Sequence, residues 1–508
     1  MKKLYLLLAT LLCLGMAYYG SGDSVRQPSG EVRHIYIITT NDIHANINAI
    51  PRLATVVGNY RSKGCTLLFD SGDRVVGNAF VDKAEPAGAP MIEIFKRLCY
   101  NAVGLGNHEF DKLRENLAAL IEMSDFATVC ANVAVREGVE FPEVVPYALF
   151  ECEGVRIGVT GVVDTEYEGC RPAGKPVGFV DFRFRPDVAT AAAWCDSLAE
   201  RSDFTIVLSH MGYDTDRMFA AERPACDWIA GGHSHTIVAD DVEGIHISQN
   251  GKNLGFVTVA DISVGQGRIT GVEYTQIDLS EVEIDGEYMD MVNEIKSRMP
   301  QLNEKVGEAA AAATHDGVAN MMVDALLETT EYDVEGKTKT FTPELSFYHF
   351  GGVRLASLLP GDITLGDVEN TDPFESTACI GTLSGREIRR MILDKYNAYA
   401  DNGNPDKESH YLYFRSNLPY EVVLGTTPAE LPDAVDVVFD LDDDKEYNVV
   451  LCNYITENYI DQEIVKRKIT VTDSKVTDLL RDYVVRHTAE GGVKPDNTVR
   501  QSQRSGQD

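Results

Sequence analysis

The chain has 508 residues, a formal net charge of −33 and 25% charged residues. That length exceeds one ordinary hydrophobic core and predicts two domains. The acidic balance excludes a nucleic-acid polymer as a bulk partner, because a polyanion would be repelled. Beyond the N-terminus no run approaches the ~20 apolar residues that a membrane span needs.

In chain order, Met1-Lys2-Lys3 and the apolar stretch from Leu4 to Leu12 read as a secretory signal, with Gly15 and Ala17 offering a cleavage site. Residues 1–17 are therefore expected to be removed and the protein exported, most simply to a bacterial periplasm. Leu12 stands before Cys13 where a lipobox wants a small residue, which argues against lipid anchoring. Loss of Cys13 would leave an odd number of cysteines, which argues against a complete disulfide framework. Apolar surroundings such as those of Cys130 and Cys452 predict mostly buried thiols, with room for a disulfide or two in an oxidising compartment.

Four short runs then read as buried strands: Ile35-Tyr36-Ile37-Ile38, Thr66-Leu67-Leu68-Phe69, Ala102-Val103-Gly104-Leu105 and Phe204-Thr205-Ile206-Val207-Leu208. Each runs directly into a segment rich in potential metal ligands. These segments are Asn41-Asp42-Ile43-His44, Ser71-Gly72-Asp73, Gly106-Asn107-His108-Glu109-Phe110-Asp111 and Ser209-His210, followed later by Gly231-Gly232-His233-Ser234-His235. Polar groups at the carboxyl ends of buried strands converge on one crevice, so residues from Asp42 to His235 can meet. Imidazole, carboxylate and carboxamide together suit borderline divalent cations. So many converging ligands suit two ions better than one tetrahedral zinc. The remaining histidines, among them His34, His246, His315, His349, His410 and His487, lack such company and read as packing or capping residues.

Helical patterns at 91–98 and 188–200, with further strands such as 256–262, place a first α/β domain at 31–285. Met289, Val292, Ile295 and Met299 fall at helical spacing and predict an amphipathic helical linker over 286–303. The second domain, 304–499, opens on a helical pattern through Met321, Met322, Ala325 and Leu326. The acidic run 440–444 reads as a solvated loop and the polar tail after Val499 as frayed.

The order Asp-x-His, Gly-Asp, Gly-Asn-His-Glu, His and Gly-His-x-His resembles the calcineurin-like metallophosphoesterase superfamily. Gly-Asn-His-Glu-Phe-Asp followed by Gly-His-Ser-His-Thr is similar, within it, to the bacterial 5′-nucleotidase and UDP-sugar hydrolase family. Further on, Phe350-Gly351-Gly352-Val353-Arg354, Asp372-Pro373-Phe374 and Gly381-Thr382-Leu383-Ser384-Gly385 resemble the C-terminal nucleotide-binding domain of that family. The resemblance implies a four-layer α/β/β/α sandwich followed by a second α/β nucleotide-binding domain.

It also implies a dinuclear centre of zinc, manganese or cobalt. Asp42, His44, Asp73 and His235 would hold one ion, and Asp73, Asn107, His210 and His233 the other, with Asp73 bridging. Two such ions would make a locally positive well for a phosphate ester in an acidic protein. His108 would face the phosphate and protonate the leaving alkoxide, and Asp111, three residues on, would orient it. Asn107 and Arg354 would contact the phosphate, the latter through forked guanidinium bonds. Tyr411 and Tyr454 would clamp the base, and Asp461, displaced by one position from the family's aspartate, would join the substrate contacts.

Two departures bear on recognition. His349-Phe350 stands where the family has Asn and its neighbour before Gly-Gly. Asn458-Tyr459-Ile460-Asp461 stands where the family has Gly-Gly-Asp-Gly, so close backbone approach there is altered. The expected activity is hydrolysis of 5′-nucleotides or another small phosphate ester. The alternatives are a 2′,3′-cyclic-nucleotide phosphodiesterase, a UDP-sugar pyrophosphatase or a non-catalytic nucleotide-binding protein.

Overall fold

The computed structural model describes residues 32–165, 170–174, 176–400, 412–427 and 434–505. The expected signal segment, Cys13, His410 and Tyr411 lie outside the described residues. Packing divides the chain into two units. The first comprises 1–43, 48–74 and 89–289, and the second comprises 44–47, 75–88 and 290–508.

The first unit is built on two six-stranded sheets. In one, Arg33–Thr40, Cys65–Asp70, Ala102–Val103 and Ala127–Thr128 run parallel, and Phe256–Gly265 and Arg268–Asp278 extend it antiparallel. In the other, Val155–Val163, Phe204–His210, Trp228–Ala230 and Ile245–Asn250 run parallel between antiparallel edges Tyr147–Cys152 and Ile237–Val242.

Strand alternation sorts the side chains into layers. Ile35, Ile37, Leu67 and Phe69 share one core with Ile157, Val159, Ile206 and Leu208, so the sheets face each other. Val207, Ile229 and Ile247 point the opposite way, onto Ala191 and Cys195 of the helix Asp187–Ala199 and Phe219 of the helix Tyr213–Ala221. The helix Ile50–Arg61 packs on the first two strands of the other sheet. The result is the expected four-layer α/β/β/α sandwich.

A disulfide joins Cys65 to Cys152, the first residue of one sheet's strand and the last of the other's edge strand, across 87 positions. A link closing so long a loop restricts the unfolded chain strongly. The double variant Cys65→Ala/Cys152→Ala is expected to lose about 2–4 kcal/mol of unfolding free energy. Urea denaturation reads this, and an unchanged midpoint would mean the link constrains little.

The second unit centres on a five-stranded mixed sheet in the order Phe414–Ser416, Leu345–His349, Glu446–Cys452, Thr377–Ser384, Ile469–Lys475. Phe347, Ile380 and Leu451 meet Met322 and Leu326 of the helix His315–Glu328, Ile388 and Ile392 of Gly385–Ala400, and Leu480 of Val476–Ala489 in one core. The predicted amphipathic helix runs Gly286–Ser297, with Val292 and Ile295 buried.

One expectation needs correcting. The tail does not fray: Gln501–Ser505 pairs in parallel with Tyr420–Leu424, and the buried Gln501 amide donates to the carbonyls of Ser416 and Leu418. Polarity signalled a loose end, but those polar groups complete a sheet. The 440–444 run is the largely exposed loop that its composition implies, with Asp443 pairing with Arg389 at 3.0 Å and Asp444 with Arg386 at 2.7 Å.

Candidate metal and active site

The ligand-bearing segments leave the strands in unusual backbone conformations. Asp42, His44, Asp73, His233 and His235 all have φ between 45° and 77°. Side chains other than glycine seldom adopt that region, and clusters of such residues mark sites where geometry is over-determined by function. The neighbouring glycines are required for space. A Cβ on Gly106 would sit 2.2 Å from Asp73 Oδ1, and one on Gly232 would sit 2.9 Å from His210 Nδ1.

Among the described residues, three groups of side chains bring their ligand atoms within 4.8 Å of one another: Asp42 with His44 and His235, Asp42 with Asp73 and His210, and His44 with Asp73 and His108. Asp42, His44 and Asp73 each appear twice. His235 Nε2 lies 3.4 Å and His210 Nε2 3.9 Å from Asp42 Oδ1, while His210 Nε2 lies 3.1 Å from Asp73 Oδ2. His233 Nδ1 is 3.1 Å from Asn107 Oδ1, and its backbone N–H donates to Asp42. The His210 and His233 rings meet edge to face with centroids 5.2 Å apart.

The donor set fits a cationic cofactor. His210 is fully buried and its Nε2 satisfies no hydrogen-bond geometry, despite its nearness to Asp73. Its Nδ1 lies 2.9 Å from the Ser71 carbonyl oxygen, the supporting contact typical of metal-ligating histidines. Burial alone would lower the His210 pKa, but Asp73 and Asp42 outweigh it and raise it to about 10. The cluster is an enclosed site of negative charge that stabilises positive charge placed within it.

His108 sits at the rim, partly exposed. Its Nδ1 is 2.6 Å from Asp111 Oδ2, its Nε2 is 3.9 Å from Asp73 Oδ2, and its backbone N–H donates to Asp73 Oδ1. The short 3₁₀ turn His108–Phe110, rather than a full helical turn, sets the imidazole against Asp111.

Sequence reasoning missed the groups that hold these ligands in place. Glu109 is buried, and its carboxylate accepts from the backbone N–H of Asp73 at 2.9 Å, Arg74 at 3.1 Å and Gly106 at 2.6 Å. Arg74 stands 3.7 Å from Glu109 and 3.9 Å from Asp70, whose pKa burial pushes up to about 7 against the pull of Arg74. The Asn41 amide donates to Asp42 Oδ2 and to the Gly251 carbonyl. Gln249 donates to the Gly232 carbonyl and accepts from Ser234 and from the Thr236 backbone. For Glu109 the only signal in the sequence is its place in the Gly-Asn-His-Glu motif.

The expected substrate contacts fall in the second unit. Arg354 is half-buried with its guanidinium 5.1 Å from the Phe374 ring centroid. Tyr454 lies on the helix Asn453–Asn458 with its ring 4.4 Å from that of His349. Asp461 is exposed and caps the helix Gln462–Lys468, accepting from the Glu463 backbone N–H. Tyr411 lies outside the described residues.

Two family models match the chain: calcineurin-like phosphoesterase over residues 35–236, and 5′-nucleotidase, C-terminal domain, over residues 297–467. The chain is 25% identical to the trifunctional nucleotide phosphoesterase protein YfkN of Bacillus subtilis over 89% of its own length and 35% of that protein. It therefore spans about a third of YfkN. It is 24% identical to the protein UshA of Yersinia enterocolitica over 78% of this chain and 82% of that one. Among solved structures, a 5′-nucleotidase precursor from Thermus thermophilus has the same fold, with a TM-score of 0.74 and 20% identity over 92% of this chain and 99% of that one. With its buried Asp/His cluster and both matching domains in order, the chain belongs to the 5′-nucleotidase family of hydrolases, whose N-terminal part is a calcineurin-like metallophosphoesterase domain.

Proposed function

We propose that the protein is an exported phosphatase that hydrolyses 5′-nucleotides to nucleoside and phosphate with two divalent metal ions. The observation that carries this reading is the His108–Asp111 pair, 2.6 Å apart, at the rim of a buried Asp/His cluster. Asp42, His44, Asp73 and His235 would hold one ion, and Asp73, Asn107, His210 and His233 the other. The ions would supply Lewis-acid stabilisation of the charge that develops on the phosphoryl oxygens.

The chain's own groups do the rest. Asp111 holds Nδ1 of His108 and so directs Nε2 toward the Asp73 side of the cluster, where a protonated Nε2 can donate to a departing alkoxide. Glu109 fixes the backbone turn at Asp73, and Asn41 orients the Asp42 carboxylate. The name of YfkN marks that relative as a nucleotide phosphoesterase, which supports a nucleotide substrate here. The Cys65–Cys152 disulfide supports an oxidising compartment.

The test is phosphate release from AMP, UMP, UDP-glucose, 2′,3′-cyclic AMP and p-nitrophenyl phosphate, alongside metal analysis. The 5′-monophosphates are expected to be the best substrates. The purified protein should carry close to two divalent ions, lose activity with EDTA and regain it with manganese, cobalt or zinc, given its mixed nitrogen and oxygen ligands. Activity on UDP-glucose or the cyclic nucleotide but not on AMP would reassign the substrate. One ion or fewer, with activity indifferent to EDTA, would overturn the dinuclear centre.

A further inference from the structure

The segment 231–236 carries His233 and His235, and both take left-handed backbone, with φ of 77° and 57°. Each such residue costs free energy that its surroundings must offset. The ends of the segment are tied to neighbouring backbone: Gly231 donates to the Ser248 carbonyl at 2.8 Å, and Gly251 donates to that of Thr236 at 3.0 Å. Between those ends the segment is wound on one side chain. The Gln249 amide donates to the Gly232 carbonyl at 2.6 Å, and its oxygen accepts from the Ser234 hydroxyl at 2.8 Å and the Thr236 N–H at 2.7 Å. A carbonyl can only accept and a backbone N–H can only donate, so these partners fix which way the amide faces.

Gln249 is itself held. It is fully buried near the end of strand Ile245–Asn250, and Gln276 of the facing sheet donates to its carbonyl at 3.0 Å. Ser234 carries the constraint further, because its hydroxyl accepts from the Tyr213 N–H at 3.0 Å. That tyrosine opens the helix Tyr213–Ala221, just after His210. The two histidines of the segment meet different members of the cluster. His235 groups with Asp42 and His44, whereas His233 lies 3.1 Å from Asn107 and edge-on to His210. A segment ordered in advance removes the entropy of ordering it from the cost of binding.

We propose that Gln249 is a positioning residue for both histidines at once, holding His233 and His235 in ligating geometry independently of any ion. This rests on the two-ion reading of the cluster and deepens it. With one ligand of each ion on the same segment, a single amide outside the ligand set governs the affinity of both. A carboxylate at position 249 could still accept from Ser234 and Thr236 but could not donate to Gly232, and an apolar side chain could do neither.

Zinc titration against a chelating dye and hydrogen exchange of the metal-free protein test this together. In Gln249→Met the Thr236 amide, deprived of its acceptor, should exchange roughly ten-fold faster or more, with the rest of that sheet still protected. Both zinc dissociation constants should rise by roughly ten-fold or more, the usual effect of losing a group that orients ligands. Gln249→Glu should fall between the two. Unchanged exchange at Thr236, faster exchange spread evenly over the domain, or a rise in only one of the two constants would each overturn the proposal. Ser234 is only partly buried, so Ser234→Ala gives a second reading if the Gln249 variants do not fold. It removes one of the three contacts and should raise both constants about three-fold or more, and unaltered constants would overturn the idea. The two-ion reading is scored on the wild type. A single bound zinc would sink that reading and leave the exchange comparison to decide whether Gln249 holds the segment. Two bound zinc ions, of which Gln249→Met weakens only one, would do the reverse.

Discussion

The substitution His108→Asn is expected to lower kcat by roughly 10²–10⁴-fold, the usual effect of removing a general acid. The imidazole is anchored by Asp111 at 2.6 Å and stands 3.9 Å from Asp73 Oδ2, at the edge of the ligand cluster. Asparagine retains a side chain of similar reach at its first polar atom but cannot deliver a proton at the position of Nε2. The His108 backbone N–H, which donates to Asp73 Oδ1, is untouched. Metal content should therefore stay near the wild-type value while turnover falls. Metal analysis beside steady-state kinetics separates the possibilities: a variant that loses an ion along with its activity would make His108 a ligand. The proximity of His44, Asp73 and His108 makes that outcome worth measuring. An ester substrate with a good leaving group, such as p-nitrophenyl phosphate, should be affected less than AMP, because it needs less protonation on departure.

The second large effect is on stability and metal affinity together. Glu109→Ala removes the acceptor of three backbone N–H groups and leaves Arg74, itself buried, beside only one of its two carboxylates. Breaking a buried charged network from one side typically costs about 3–5 kcal/mol. Urea denaturation of the apo and metal-loaded forms reads that loss. Asp73 takes its backbone conformation, φ 55°, partly from the Glu109 contact, so metal affinity should also fall by roughly 10–100-fold, as for other groups that orient ligands. Glu109→Gln keeps the shape and one acceptor oxygen, and should lie between the two. A Glu109→Ala protein with wild-type midpoint and metal content would mean that solvent replaces the carboxylate at no cost.

The residues of the Asp/His cluster, their order and the strands that carry them were legible in the sequence. An apolar run ending in Gly, Asn, Asp or His is a local signal; three of the four runs lie side by side in one sheet and the fourth lies in the sheet that faces it. The four-layer sandwich followed from the resemblance, and the structure has it. Legible too were the amphipathic helix of Gly286–Ser297 and the helices near 91–98 and 188–200, which the structure places at Ala89–Arg97 and Asp187–Ala199.

What tertiary structure alone decided are contacts between residues far apart in sequence. Nothing local marks Glu109 as the acceptor for the turn that holds Asp73, 36 positions earlier, because a carboxylate's partners are set by which turns the sheets bring together. The tail around Gln501 looked frayed because its composition is polar, yet strand Tyr420–Leu424 offers it an edge on which its polar backbone groups find partners. Lys395 carries no local signal of burial in a helix of mixed charged and apolar residues, yet it is fully buried, with Tyr459 and Phe414 of other segments beside it. Periodicity reports which face of an element is apolar. It cannot report which buried polar group another part of the chain will come to meet, and that is where the geometry of this protein's Asp/His cluster is set.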